Sequence, residues 1–105
     1  MTRMHAESLR ISIFDDPSEE IISLYKEHIP EYMSDLLSAV EEQNLEHVIY
    51  RSHKMCSAMK TVGYKKAATL LERIEREKPD GMMLAGMVGE VEKLVKDSLV
   101  ILEQG

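Results

Sequence analysis

The sequence predicts an all-α protein, an antiparallel four-helix bundle with a short N-terminal lead-in segment. Three observations carry this. Apolar residues recur at steps of three and four through four successive stretches. The stretches are punctuated by Asp16-Pro17-Ser18, Gln43-Asn44, Gly63 and Pro79-Asp80-Gly81, all capping or turn residues. The links are short, so sequential helices must run antiparallel, and no single helix could bury its stripe alone.

Residues 1–16 are weakly patterned. Leu9, Ile11 and Ile13 alternate with polar residues, which fits an extended lead-in and fits a short first helix about as well. The first long helix starts at Asp16-Pro17-Ser18-Glu19-Glu20. Asp16 or Ser18 can cap it, Pro17 suits a first turn, and the acids suit the positive end of the dipole. Ile21, Ile22, Tyr25, Ile29, Tyr32, Met33, Leu36, Leu37 and Val40 then follow at helical spacing. Pro30 removes one backbone hydrogen bond and should kink this helix without ending it, because the stripe continues in phase.

Asn44 is a suitable cap for the second helix, read over 45–62 with the seam Leu45, Val48, Ser52, Met55, Met59 and Val62. Gly63 falls where a left-handed terminating residue belongs. Tyr64 to Lys78 forms the third helix, with Ala67, Leu70, Leu71 and Ile74 inward. The fourth carries Met83, Met87, Val91, Leu94, Val95, Leu99 and Leu102. Gly86 and Gly89 weaken its first turns, so that end is expected to fray.

Composition narrows the function. A chain of 105 residues has room for one domain and one core, with the bundle expected over about 18–103. No segment approaches the roughly 20 apolar residues of a membrane span. Met1 to Arg10 is mixed and polar, unlike a secretory leader, and the lone Cys56 has no intramolecular disulfide partner. The expected compartment is the cytoplasm. A start at Met1 and a polar ending at Gly105 favour a free protein over a fragment of a larger one. A net charge of −6 argues against broad nucleic-acid binding. The glycines, at 63, 81, 86, 89 and 105, form no phosphate-binding loop. Any phosphoryl group used here must come from another protein.

One stretch departs from the acidic background. Residues 51–66 hold five of the 13 basic residues and none of the 19 acids. They also hold His53, one position past Ser52 and so about 100° off the buried seam. Its ring should stand at the core edge with access to solvent. Ser57 is small and one turn on, and Cys56 lies close to the same face. Lys60 is seven residues on, nearly in line and about 10.5 Å along the axis. Helical side chains lean toward the N-terminus, so its stem points back toward His53. A free imidazole titrates near about 6.5, which leaves one nitrogen nucleophilic at pH 7. The other needs a partner to hold the tautomer, and the sequence does not name it. A lone histidine on a helix flank is usually a solvated side chain, and a basic cluster is usually a solvated face. Together, in this helical register and with Gly63 in place, they point to a phosphoryl acceptor.

Other signals are weaker. His5, His28 and His47 lack a second ligand at metal spacing, and one helix cannot turn His53, Met55 and Cys56 toward one ion. Cys56 reads as a packing residue at the core edge before a redox centre. The methionines fit core stripes.

The segment His53-Lys-Met-Cys-Ser-Ala-Met-Lys-Thr-Val-Gly63 resembles the signature of histidine-containing phosphotransfer domains, H-x-[apolar]-K-[GS]-[SA]-x-x-x-[apolar]-G. His53 matches the phosphoacceptor, Met55 and Val62 the apolar positions, Ser57 and Ala58 the small ones, and Gly63 the closing glycine. Residues 29–37, 42–46 and 68–75 are also similar to the family's flanking helices, so the resemblance spans about 18–103. Where the family carries lysine three residues after the histidine, this chain has Cys56. Lys60 could replace that charge, and Lys54 could contribute from the flank.

The resemblance implies a phosphorelay protein without ATP-dependent kinase activity. It would take a phosphoryl group on His53 from a receiver-domain aspartyl phosphate and pass it to another receiver. It implies no cofactor of its own, since Mg²⁺ belongs to the receiver. The implied partners are response-regulator receiver domains and a hybrid histidine kinase, with no nucleic acid and no membrane, and a monomeric chain. The docking face should surround His53 on the second and third helices, with Lys54, Lys60, Lys65 and Lys66 steering an acidic receiver pocket. Cys56 in place of lysine motivates an alternative, a non-phosphorylated adaptor that binds and modulates a response regulator or histidine kinase. A bundle that oligomerises through its Met-rich last helix is a third reading.

Overall fold

The computed structural model describes Phe14 and residues 17–104. Leu9, Ile11, Ile13 and the alternative cap Asp16, on which the lead-in reading rests, lie outside the described residues. Among the described residues the chain forms four helices and no strand: α1 Glu19–Glu41, α2 Leu45–Val62, α3 Lys65–Glu77 and α4 Gly81–Gln104. They form the expected all-α four-helix bundle. None is long and apolar enough to cross a membrane.

The boundaries follow local chemistry. Ser18 caps α1, its side-chain oxygen accepting from the Ile21 N–H at 3.2 Å. Pro17 therefore sits one residue ahead of the cap, outside the first turn. The helix runs unbroken through Pro30 to Glu41. Asn44 caps α2 by accepting from the His47 N–H, also at 3.2 Å. Gly63 ends α2 in the left-handed conformation, φ 78°, where the Gly63 and Tyr64 N–H groups reach back to the carbonyls of Lys60 and Met59. Lys78 ends α3 in the same conformation at φ 48°, without the freedom of glycine. The fourth helix is continuous from Gly81 through Gly86 and Gly89.

α2 packs closely against α1 on one side and α3 on the other, and α4 closes the bundle against α3 and α1. Val48, Ser52, Met55, Met59 and Val62 are buried along the predicted α2 seam, with Cys56 added to it. The Ser52 hydroxyl has no hydrogen-bond partner among the described residues. Two expected core residues lie outside. Leu45, in the first turn of α2, is exposed because its helix face has not yet come under α1 or α3. Met83 is also exposed, and Leu84 points inward instead. The α4 stripe runs Leu84, Met87, Val88, Val91, Val95, Ser98, Leu102, and stepping back three residues rather than four from Met87 selects Leu84.

One end of the core is aromatic. Phe14 is buried with its ring edge-on to Tyr25 and Tyr64, at centroid distances of 5.9 and 5.4 Å. The Ser98 hydroxyl donates to the Val95 carbonyl at 2.7 Å, so the Tyr25 hydroxyl donates to Ser98 Oγ, also at 2.7 Å. The Tyr64 hydroxyl donates to the Leu94 carbonyl at 3.1 Å. These bonds tie α1 and the α2–α3 link to α4, each contributing on the order of 1 kcal/mol. Burial pushes the Tyr64 phenol up to about 12, with the negative charge of Asp97 adding to it. Burial raises Tyr25 further still, against an opposing contribution from its Ser98 hydrogen bond.

Gly63→Ala should lower the unfolding free energy by about 1–2 kcal/mol, the usual cost of a side chain in the left-handed region. Urea denaturation reads this, and an unchanged midpoint would contradict the role given to Gly63. The tyrosines set an alkaline limit. Above the ordinary phenol value of 10.0 the unfolded chain has released protons that folded Tyr64 keeps until about 12. Unfolding is then favoured progressively as pH rises through that interval. Stability measured across pH 9–12 should fall, and Tyr64→Phe should flatten the fall.

Candidate functional site

The site is set by the register of α2. With Ser52 wholly buried, the next residue is turned about 100° outward. The His53 side chain is 71% exposed, on the flank of α2 that faces α3. The two helices run antiparallel, so Glu75 near the end of α3 lies opposite His53 near the middle of α2. Its Oε1 is 2.8 Å from His53 Nδ1. Glu75 is the tautomer partner that the sequence left unnamed. A carboxylate only accepts, so Nδ1 carries the hydrogen. Nε2, the other ring nitrogen, has no partner among the described residues and is the one left with a lone pair in the neutral ring. The side chain of Glu75 is itself only 23% exposed, which fixes the acceptor better than a free surface carboxylate would be.

His53 lines an open hollow of about 400 Å³ with Cys56, Ser57, Lys60, Glu72, Glu75 and Arg76. Three of the predicted site residues therefore stand with His53: Lys60, Ser57 and Cys56. Lys60 is not free. Its Nζ lies 3.2 Å from Glu72 Oε1, and this hydrogen bond raises the ammonium above its ordinary value. Ser57 turns its hydroxyl back to the His53 carbonyl at 3.3 Å, so it offers small size rather than a hydrogen-bonding group. Cys56 is buried, its thiol directed to the Ala68 carbonyl at 3.6 Å and near Glu72 Oε1 at 3.9 Å. Burial pushes the thiol up, more than the nearby Lys60 charge pulls it down, and Glu72 and Glu75 add to the rise. This is the environment of a packing cysteine rather than a nucleophile.

The remaining predicted residues lie elsewhere. Lys54 faces α1, its Nζ 5.0 Å from the centre of the Tyr32 ring. Gly63 ends the helix ten residues beyond His53, about 15 Å along the axis. Lys65 is exposed at the first residue of α3, and Lys66 lines a different groove, between α3 and α4. The lysines thus do not make one patch. Of the other histidines, His28 stacks on Tyr32 and His47 lies 4.0 Å from Glu42. His5 is outside the described residues. Among the described residues no three acidic, histidine or cysteine side chains gather as a metal site.

Sequence reasoning missed Glu72, Glu75 and Arg76. A signal for them exists. Ala68, Glu72 and Glu75 recur at steps of four and three beside the buried Leu71 and Ile74, so they form the α3 edge turned to α2. The basic island of 51–66 meets this acidic edge, and the hollow has mixed charge. Compared with protein-family models, curated proteins and solved structures, the chain matches none.

Cys56 should resist alkylation in the folded protein at pH 7–8.5 and react at least tenfold faster in denaturant, since both burial and the raised thiol oppose thiolate attack. Mass-spectrometric counting of iodoacetamide adducts checks this. Equal rates with and without denaturant would mean an accessible cysteine.

Proposed function

We propose that this chain is a histidine phosphocarrier of a two-component phosphorelay, with His53 as phosphoacceptor. One observation carries the reading: an exposed imidazole whose Nδ1 hydrogen is held by Glu75, with Nε2 left unpartnered among the described residues. The match of residues 53–63 to the histidine-phosphotransfer signature supports it from the sequence side.

The chemistry this arrangement suits is direct. The Nε2 lone pair attacks the phosphorus of an aspartyl phosphate. The N–P bond forms as the bond from phosphorus to the aspartate oxygen breaks, and that oxygen leaves with the electron pair as a carboxylate. The imidazole becomes positively charged, and the Nδ1–H to Glu75 contact becomes a charge-assisted hydrogen bond. Glu75 thus favours the product ring and aims Nε2 outward. The small Ser57 leaves room for a partner's surface beside the ring. The divalent cation that stabilises phosphoryl charge would be the receiver's, and the partner would be a receiver domain docking over α2 and α3.

One observation favours a second reading. Cys56 stands where the family has lysine, and Lys60 is already paired with Glu72. A hollow whose two cations, Lys60 and Arg76, are both paired with carboxylates suits a non-phosphorylated adaptor that binds a receiver or kinase.

Incubation with receiver domains charged by acetyl phosphate separates the two. Wild type should gain an acid-labile label, and His53→Gln should gain none. Glu75→Gln keeps an oxygen that can accept from Nδ1–H but removes its charge, and it should label about tenfold more slowly. Label on His53→Gln would refute the assignment. Binding of receivers without any label would favour the adaptor.

A further inference from the structure

Besides His53, the hollow is lined by two cations, Lys60 and Arg76, and two carboxylates, Glu72 and Glu75, and Arg76 is drawn toward Glu77 at 3.7 Å, so the charge left to meet a phosphoryl group turns on Lys60. Lys60 is the side chain placed to meet a phosphoryl group on Nε2. It lies two turns along the same helix face, lines the same hollow, and leans back toward His53. Its ammonium is instead held by Glu72 at 3.2 Å. The same oxygen, Glu72 Oε1, stands over Cys56, one turn from His53. An anion thus occupies the level of the helix where a cation would best serve the phosphoryl group.

We propose that Glu72 is a positioning residue that holds Lys60 in reserve, and that Lys60 transfers from Glu72 to the phosphoryl group when His53 is modified. This rests on the phosphocarrier reading of the same site. Glu72 then limits phosphorylation in two ways. It repels an incoming phosphate dianion, and it keeps occupied the cation that would neutralise that dianion. Cys56 is part of the device, because it puts no charge of its own at this level and is small enough for the Glu72 carboxylate to settle above it. Glu75 stays with the ring throughout, since its bond is to Nδ1, away from the reacting nitrogen.

The side chains are well exposed, so the effect should be moderate. Solvent screens ion pairs of this kind, so the change in rate should be at most about fivefold.

The test uses phosphoramidate, a small donor that needs no docking. The Nε2 lone pair attacks phosphorus, the P–N bond of the donor breaks, and ammonia leaves. The rate of labelling at His53 is followed by phosphorus NMR for wild type, Glu72→Gln, Lys60→Met and the double variant. With Lys60 present, Glu72→Gln should speed labelling about three- to fivefold. In the Lys60→Met background the same change should give about twofold or less, because only direct repulsion of the donor remains. The larger gain should also shrink in 1 M salt. A change in fold would not produce this dependence on Lys60. Equal gains in both backgrounds, or no gain, would overturn the reserve role while leaving the phosphocarrier intact. No label at His53 in any of the four proteins would overturn the phosphocarrier reading itself, and the reserve role with it.

Discussion

The burial of one face of α2 is the constraint on which the rest depends. Val48, Ser52, Met55, Met59 and Val62 are turned inward between α1 and α3, with at most a few per cent of their surface exposed. A helix advances about 100° per residue, so this seam dictates where every other side chain of α2 must go. His53 follows Ser52 and is put at the α3 flank. Lys54 follows His53 and is carried on to the α1 flank, over Tyr32. Lys60, two turns past His53, returns to the α3 side. Slipping the seam by one residue would bury the imidazole without a partner and turn Met55 to water. Both changes are costly.

The second constraint is the close antiparallel packing of α2 on α3. Gly63 reverses the chain within two residues, so position along α2 is tied to position along α3. That tie brings Glu75 to His53 and Glu72 to Lys60. The hydrogen bonds of Tyr25 and Tyr64 to α4 hold the far side of the bundle at the aromatic end. The site is therefore built on helices, with the His53 imidazole exposed and its partner carboxylate mostly covered. This is the combination that fixes a ring without shutting off its approach.

Much of the fold was legible because its signals are local. Ser18, Asn44 and Gly63 act through backbone groups within five residues of themselves, and each stands at the helix end expected of it. The seam of α2 was legible for the same reason, a spacing of three and four. The errors came where a local pattern was ambiguous. Met83 and Leu84 are both apolar and both one turn before the next core positions, and only the packing of α4 on its neighbours chose Leu84. Leu45 has the right spacing but lies too near the helix end to be covered. Of the candidate site, His53, Ser57, Cys56 and Lys60 were found because they share one helix. Glu72, Glu75 and Arg76 were not, because they come from another.

By itself the sequence determined the four helices, their ends, the inward face of α2 and the outward place of His53. These follow from backbone hydrogen bonding and apolar periodicity, which act over a few residues. The tertiary structure alone decided the electrostatics of the site. A stretch with five bases and no acids becomes a hollow of mixed charge once the acidic edge of α3 is laid against it. The tautomer of His53, the engagement of Lys60 and the burial of Cys56 all depend on that contact. Charge and hydrogen bonding act through space, and the partners are 12 to 22 residues away along the chain.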